Sequence, residues 1–522
     1  MKKSLWAAGG VVIVAVICAL VLFSQKKADP AQDDPLKTQQ VPADARAETL
    51  VVASGSEPPS LTTTEHNAQA GTAINLLLYN TLVKYDEKLN PVPDLAESYE
   101  NISETEWIFH LRHGVKFHDG KEMTAADVAA SIQHAQKSPE VSLYSSSVAK
   151  IEEVDSYTVK ITTDGPAATL IDQLCQHGNS ILPKELLDKG NNFNKNPIGT
   201  GPYRFLRWVP GERVELEAFS GYFDRQSRPA LKYLIWRVIP EGATRTAALE
   251  RGEVDYVVDI ETGDVEQLAK NQNITVSEVP STAQTSLMLN NTAPGLNRQD
   301  VRRAIYSAID REKVVKTALN GHGIAAYAQA PANLEGATTE GCDPYDPELA
   351  KSLMAQSGID PSKLNLSIIC SNSTKKRAAL SIQEDLSQLG ITCDITMLDL
   401  ATYLATTSEG NYTAAVGGFS TGDMISYLVG VFHSNSITTT NRCRLNNAMV
   451  DMLIDEAAKT LEASQRKDLL RQCNSLLNSL CPQVPLYQEA VVQAYASDLK
   501  GVKLSPLGIV HFNEVSRDSA KG

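Results

Sequence analysis

Residues 364–399 limit the folds open to this chain more than any other stretch. They read LNLSIICSNSTKKRAALSIQEDLSQLGITCDITMLD. The first and last runs are rich in β-branched residues, as strands are. Between them, after the loop SNSTKK, the stretch from Arg377 carries helical apolar spacing and stops at Gly390. Strand, helix and strand at this length meet the requirement of a parallel β-α-β unit. The spacing therefore predicts α/β layering with a parallel pair of strands.

The rest of the chain follows the same alternation. Residues 50–53 form a short apolar strand, broken by Ser54, Gly55, Ser56, Pro58 and Pro59. Trp107, Phe109 and Leu111 alternate with polar residues, as a half-buried strand requires, and Val115 and Phe117 repeat the pattern after Gly114. Thr124 and Asp127 have the spacing of a capping box, and the helix they open puts Val128, Ile132 and Ala135 on one face. Residues 244–260 read as a helix, a stop at Gly252 and a strand. Two amphipathic helices, 446–460 and 463–480, precede a last apolar run from Pro485. At 522 residues the chain exceeds one ordinary core, and two to four units are expected at roughly 100–200 residues each. A net charge of −14 disfavours nucleic acid as a partner, because phosphate binding needs clustered Lys and Arg.

The N-terminus carries an apolar run, residues 5–23, behind Lys2 and Lys3. Its length suits a bilayer span, and the basic pair would stay in the cytoplasm. An uncleaved anchor, a cleaved signal and a lipid on Cys18 all fit, and each places the body outside the cytoplasm. Residues 25–47 are rich in Pro, Ala and Asp and read as a flexible tether. Seven cysteines follow the apolar run, so not all can pair within one chain. Cys370 and Cys393 fall on strands expected to be neighbours, as free buried thiols.

EWIFHLRHGVKFHDGKEMTAADV, residues 106–128, closely resembles the signature of the family 5 extracellular solute-binding proteins. These are the dipeptide, oligopeptide and nickel receptors of ABC importers. Other blocks agree in order: PPSLTTT, YNTLVKYD, PDLAESYE, NPIGTGPYRF, ALERGEVDYV, LNRQDVRRAIYSAIDREKVV and TTNRCRLNNAMVDMLIDEA. Together they span residues 58–457. The resemblance implies a two-lobe type II periplasmic-binding fold with an additional subdomain inserted in lobe I. Lobe I would comprise residues 48–78, 196–285 and 486–515, the inserted subdomain 79–195, and lobe II 286–485. Residues 1–24 would be the signal or anchor and 516–522 a tail. It further implies a monomeric receptor, without cofactor or catalysis, that closes on a peptide and delivers it to a membrane permease. Nickel chelate, haem and oligosaccharide are the other ligands this fold suggests.

The stretch GGFSTGD, residues 417–423, allows two readings. G-F-S-T-G matches the nucleophile elbow of serine hydrolases, with Ser420 as nucleophile and His433 or His511 as the downstream bases. The resemblance instead equates Phe419 and Asp423 with the family's G-W-x-x-D, with one extra residue between them. That acid lines the cleft and pairs with a peptide's ammonium in relatives. A buried carboxylate facing an ammonium is physically sound, because a buried charge needs a partner. The plain alternative is that Asp423 caps the next helix. Ser54, Gly55 and Ser56 are further candidates, because α/β ligands bind at strand ends. So are Gly199, Thr200 and Gly201, whose glycines permit a tight bend. Ile369 stands where dipeptide receptors carry a carboxylate-binding Arg, and Arg377 is expected in solvent. His110, His113 and His118 are not expected to hold a metal, because strand alternation separates the first two. His433 is a minor candidate for a haem or nickel-chelate contact.

Overall fold

The computed structural model describes residues 40–518. The apolar run, Cys18, most of the tether and the last four residues lie outside the described residues. Among those described, no helix is long and apolar enough to cross a membrane. The body begins at Val41, whose N–H donates to Glu215 Oε2 (2.9 Å). Arg46 pairs with Asp255 at 2.6 Å, so the end of the expected tether is fixed to the body. The start of the expected tail is fixed as well. Ser516–Arg517 pairs with Leu499–Lys500, and Arg517 reaches Asp255 at 2.6 Å.

An eleven-stranded mixed sheet runs through the molecule. Two long strands, Ile274–Leu289 and Gln483–Ala496, lie antiparallel at its middle. On one side follow Tyr256–Val257, Thr49–Ser54, Tyr233–Val238, Arg213–Ala218 and Tyr203–Val209. On the other lie Ala414–Phe419, Asn365–Cys370 and Thr392–Met397, and the eleventh strand, Gly323–Ala325, pairs off this path with Gln483–Ala496. The register of the two long strands slips between Pro280 and Gln284 and again between Thr285 and Ser286. Such a slip leaves backbone groups out of the ladder and bends the strands locally.

The β-α-β reading holds. Asn365–Cys370 and Thr392–Met397 are parallel, joined by the helix Ser373–Ser387, which buries Ala378, Ala379, Ile382 and Leu386. The helix starts ahead of Arg377 because Asn372 caps it, accepting from the Lys375 N–H (2.9 Å). Cys370 stands opposite Met397 and Cys393 opposite Leu366, and both thiols are free.

A separate four-stranded antiparallel sheet lies within residues 96–163, in the order Ala96–Ser103, Glu106–Leu111, Thr158–Thr163, Val148–Asp155. Trp107, Phe109 and Leu111 point inward as their alternation predicts. The helix Ala125–Ala135 covers this core, opened by the capping box of Thr124 and Asp127. Val115 and Phe117 are buried but do not extend the strand. Gly114 takes φ +71°, turns the chain, and leaves only an isolated bridge from Lys116 to Glu122.

Two of the recognised blocks meet at His118. Its Nδ1 accepts from the Gly199 N–H (3.3 Å) and its Nε2–H donates to Gly201 O (3.0 Å). A β-carbon on Gly201 would lie 2.4 Å from Leu77 O, so glycine is required there by packing.

Candidate ligand-binding cleft

Residues 417–423 carry the chain from the strand Ala414–Phe419 into the helix Met424–Phe432. Phe419 stands opposite Gln284, so the loop emerges beside the slip in the long strands. Ser420 is exposed, and its hydroxyl lies 2.8 Å from Thr282 Oγ1. His433 sits at the far end of the same helix, with Nδ1 accepting from the Asn435 N–H (3.1 Å). Among the described residues, Thr282 is the side chain bonded to Ser420, and no histidine contacts that hydroxyl.

Asp423 caps the helix, accepting the Ser426 N–H on Oδ1 (2.8 Å). It also lines a cavity of about 860 Å³, within the range of small-ligand sites. One wall comes from residues 88–172, with Tyr99, Trp107 and Asp172; the other comes from residues 332–471, with Leu334, Asp423 and Arg466. Burial raises the Asp423 carboxyl above its usual range, and the Ser426 N–H offsets part of this. Asp172 is raised too, first by burial and then by the negative charge of Asp423. The Tyr85 hydroxyl, which donates to Asp172 Oδ1 (3.1 Å), and the Arg466 charge pull it partly back. Arg466 is engaged elsewhere, donating to Leu461 O (3.2 Å) with Nε 3.6 Å from Glu335 Oε2.

The other expected site residues lie apart from this cavity. Phe419 packs on its own helix, edge-on to Tyr427 at 6.0 Å and against Gly430. Ser54, Gly55 and Ser56 close the end of the strand Thr49–Ser54. There the Gly55 N–H donates to Asp259 Oδ2 (3.0 Å), and Ser56 alone is exposed. Gly199, Thr200 and Gly201 pack against residues 77–80, with the Thr200 hydroxyl on Asn80 Oδ1 (3.2 Å). Arg377 is not in open solvent, as its place on a helix suggested. It donates to Ala318 O (2.7 Å), because the helix Arg311–Leu319 ends beside it.

Residues 90–439 match the family described as bacterial extracellular solute-binding proteins, family 5 Middle, well over half of the chain. The chain belongs to this family. Among its family 5 relatives, it is 30% identical over 477 residues to the glutathione-binding protein GsiB of Salmonella paratyphi A, covering 88% of this chain and 93% of the relative. The structure of HbpA2 from Haemophilus parasuis matches with a TM-score of 0.83 at 27% identity, over 90% of this chain and 100% of that one. The DppA protein of Helicobacter pylori, solved in complex with the peptide STSA, matches at 0.74 and 26%, over 90% and 98%. The fold is the two-lobe type II periplasmic-binding architecture with an inserted subdomain in lobe I.

Asp172, Tyr85 and Arg466 were not legible as site residues. Asp172 falls in ATLIDQLC, which reads only as a short amphipathic helix, and a single acid there resembles a solvated one.

Proposed function

We propose that this family 5 protein is the extracytoplasmic receptor of an ABC importer, binding peptides with a free amino terminus as a monomer and delivering them to permease subunits. The observation that carries the peptide choice is Asp423, which stands at the rim of a large cavity with its carboxyl poorly solvated. A buried acid of this kind is stabilised by a cation, and a peptide's ammonium supplies one. Relatives named for glutathione and for a bound peptide support the same class. In this reading lobe I comprises residues 48–78, 196–285 and 486–515, with the insertion at 79–195, and lobe II comprises 286–485. The lobes hinge at the slip in the two long strands, where few ladder bonds resist bending. Tethering to the outer face of the membrane by the N-terminal segment completes the proposal.

Native mass spectrometry of the purified body tests it. A ladder of peptide masses, or glutathione, is the expected cargo. A discrete sugar, haem or metal chelate would replace the peptide reading.

A further inference from the structure

Ala168 belongs to none of the recognised blocks, yet its N–H donates to Ala458 O (2.8 Å), far away in the chain. Beside this bond the packing is reciprocal. Leu461 packs against the core of Phe109 and Val128, and Ala168 packs against the core of Leu428 and Leu453. At a third point, a β-carbon on Gly422 would stand 3.0 Å from the Tyr85 hydroxyl. Both loops are held by their own segments. The Thr163 hydroxyl donates to Gly165 O (2.6 Å), and Ala167 is buried in the Phe109 core. The Leu170 N–H donates to Ala167 O (3.3 Å), which puts Ala168 at the second place of a turn. On the facing side, Leu461 lies between the helices Ala448–Lys459 and Ala463–Leu480. Arg466 donates to Leu461 O (3.2 Å), and Glu462 caps the second helix by accepting the Gln465 N–H (2.7 Å). Ala168 and Leu461 both line the cavity that Asp423 lines. The Phe109 core otherwise packs with Ile198, Phe223 and Leu507, all lobe I residues in the reading above. Ala458 and Leu461 belong to lobe II in that reading. The contact therefore crosses between the lobes, and it is small. One backbone bond and one leucine break readily, whereas a broad apolar interface would lock the lobes together.

We propose that residues 165–168 and 458–461 form a latch between the lobes, which sets how long cargo is retained and not which cargo is chosen. The latch rests on the lobe assignment above. Opening at the hinge breaks the Ala168–Ala458 bond and withdraws Leu461 from the Phe109 core. Both contacts exist in the closed state alone, so they favour closure and slow opening. Release follows opening and is slowed with it. A backbone amide and an apolar tip make no demand on the charge or sequence of a ligand, so the latch acts alike on every cargo. Ala168 and Leu461 are thus positioning residues.

Two variants test it. Ala168→Pro removes the N–H at a turn position that suits proline, and Leu461→Ala removes the apolar tip. Amide hydrogen exchange is read on the unliganded receptor body, and release of a pooled tryptic casein digest is read on the loaded one. Each variant should speed exchange roughly fivefold, about the effect of losing one hydrogen bond, in both loops and also at the hinge residues 280–286, where nothing is replaced. Retained peptides should leave roughly fivefold faster, by the same factor across the pool, with association unchanged. If exchange changes only beside the substitution and release keeps the wild-type rate, the latch is wrong and the peptide reading survives. Release altered for some peptides alone likewise overturns the latch, because the residues then contact cargo. If wild type retains no peptide, the peptide reading falls and exchange at the hinge decides the latch. Should Ala168→Pro fail to fold, Leu461→Ala decides alone by the same outcomes.

Discussion

The hydroxyls of Thr282 and Ser420 lie 2.8 Å apart, one at the slip in a long central strand and the other on the loop that leads to Asp423. The serine of a hydrolase-like pentapeptide is thus bonded to a threonine, which cannot serve as its base. Activation of serine needs an adjacent general base. A fluorophosphonate probe should leave Ser420 unlabelled. Ser420→Ala should cost no more than about 1 kcal/mol in a denaturant melt, the worth of one half-buried hydrogen bond. An adduct at Ser420 would overturn this assignment.

Asp423 has two separable duties, capping its helix and offering a negative charge. Asparagine keeps the capping geometry without the charge. Asp423→Asn should melt within about 0.5 kcal/mol of wild type and still lose roughly tenfold or more in peptide affinity. Asp423→Ala should lose the affinity and a further ~1 kcal/mol of stability from the missing cap. Calorimetry beside thermal melts separates the two. Unchanged affinity in Asp423→Asn would reduce the residue to a cap.

At the junction of the recognised blocks, Gly201 is confined by backbone. A β-carbon there meets Leu77 O at 2.4 Å and Leu78 C at 2.4 Å, and neither is the movable tip of a side chain. Gly201→Ala should therefore destabilise by about 3 kcal/mol or more. Gly165→Ala, with nothing within 4 Å of the added carbon, should stay within about 0.5 kcal/mol. Urea unfolding of the two variants side by side checks the contrast.

His177 makes the fold sensitive to acid. It is buried, stacks on His66 at 5.1 Å, and donates from Nε2 to His66 O (3.0 Å). Burial pushes its pKa down from 6.5 to about 4. The unfolded chain takes up this proton first as pH falls. The stability His177 confers is present above pH 6.5 and is lost as pH falls towards 4. The loss amounts to as much as about 3 kcal/mol. Asp172 works in the opposite sense, because its carboxyl is raised to about 7 and protonates in the folded state first. Comparing wild type with His177→Gln isolates the histidine. The variant should lose less melting temperature between about pH 7 and about pH 5.

Local features were readable because they depend on neighbours in the chain. The alternation of Trp107, Phe109 and Leu111, the capping box of Thr124 and Asp127, and the parallel β-α-β unit all appear as expected. Val115 and Phe117 failed as a strand because the alternation of two residues says only which side is buried. The turn at Gly114 then sends them into the core without a pairing partner.

Composition, periodicity and the ordered blocks by themselves determined that this is an α/β solute-binding chain, and placed Asp423 on a turn between a strand and a helix. The tertiary structure alone decided that Asp423 shares a cavity with Asp172, that Phe419 folds back onto its own helix, and that Ser420 meets Thr282. Each of these joins residues that no local period connects. Whether a carboxyl is ionised depends on the water and charges around it, and those are set only when distant segments pack.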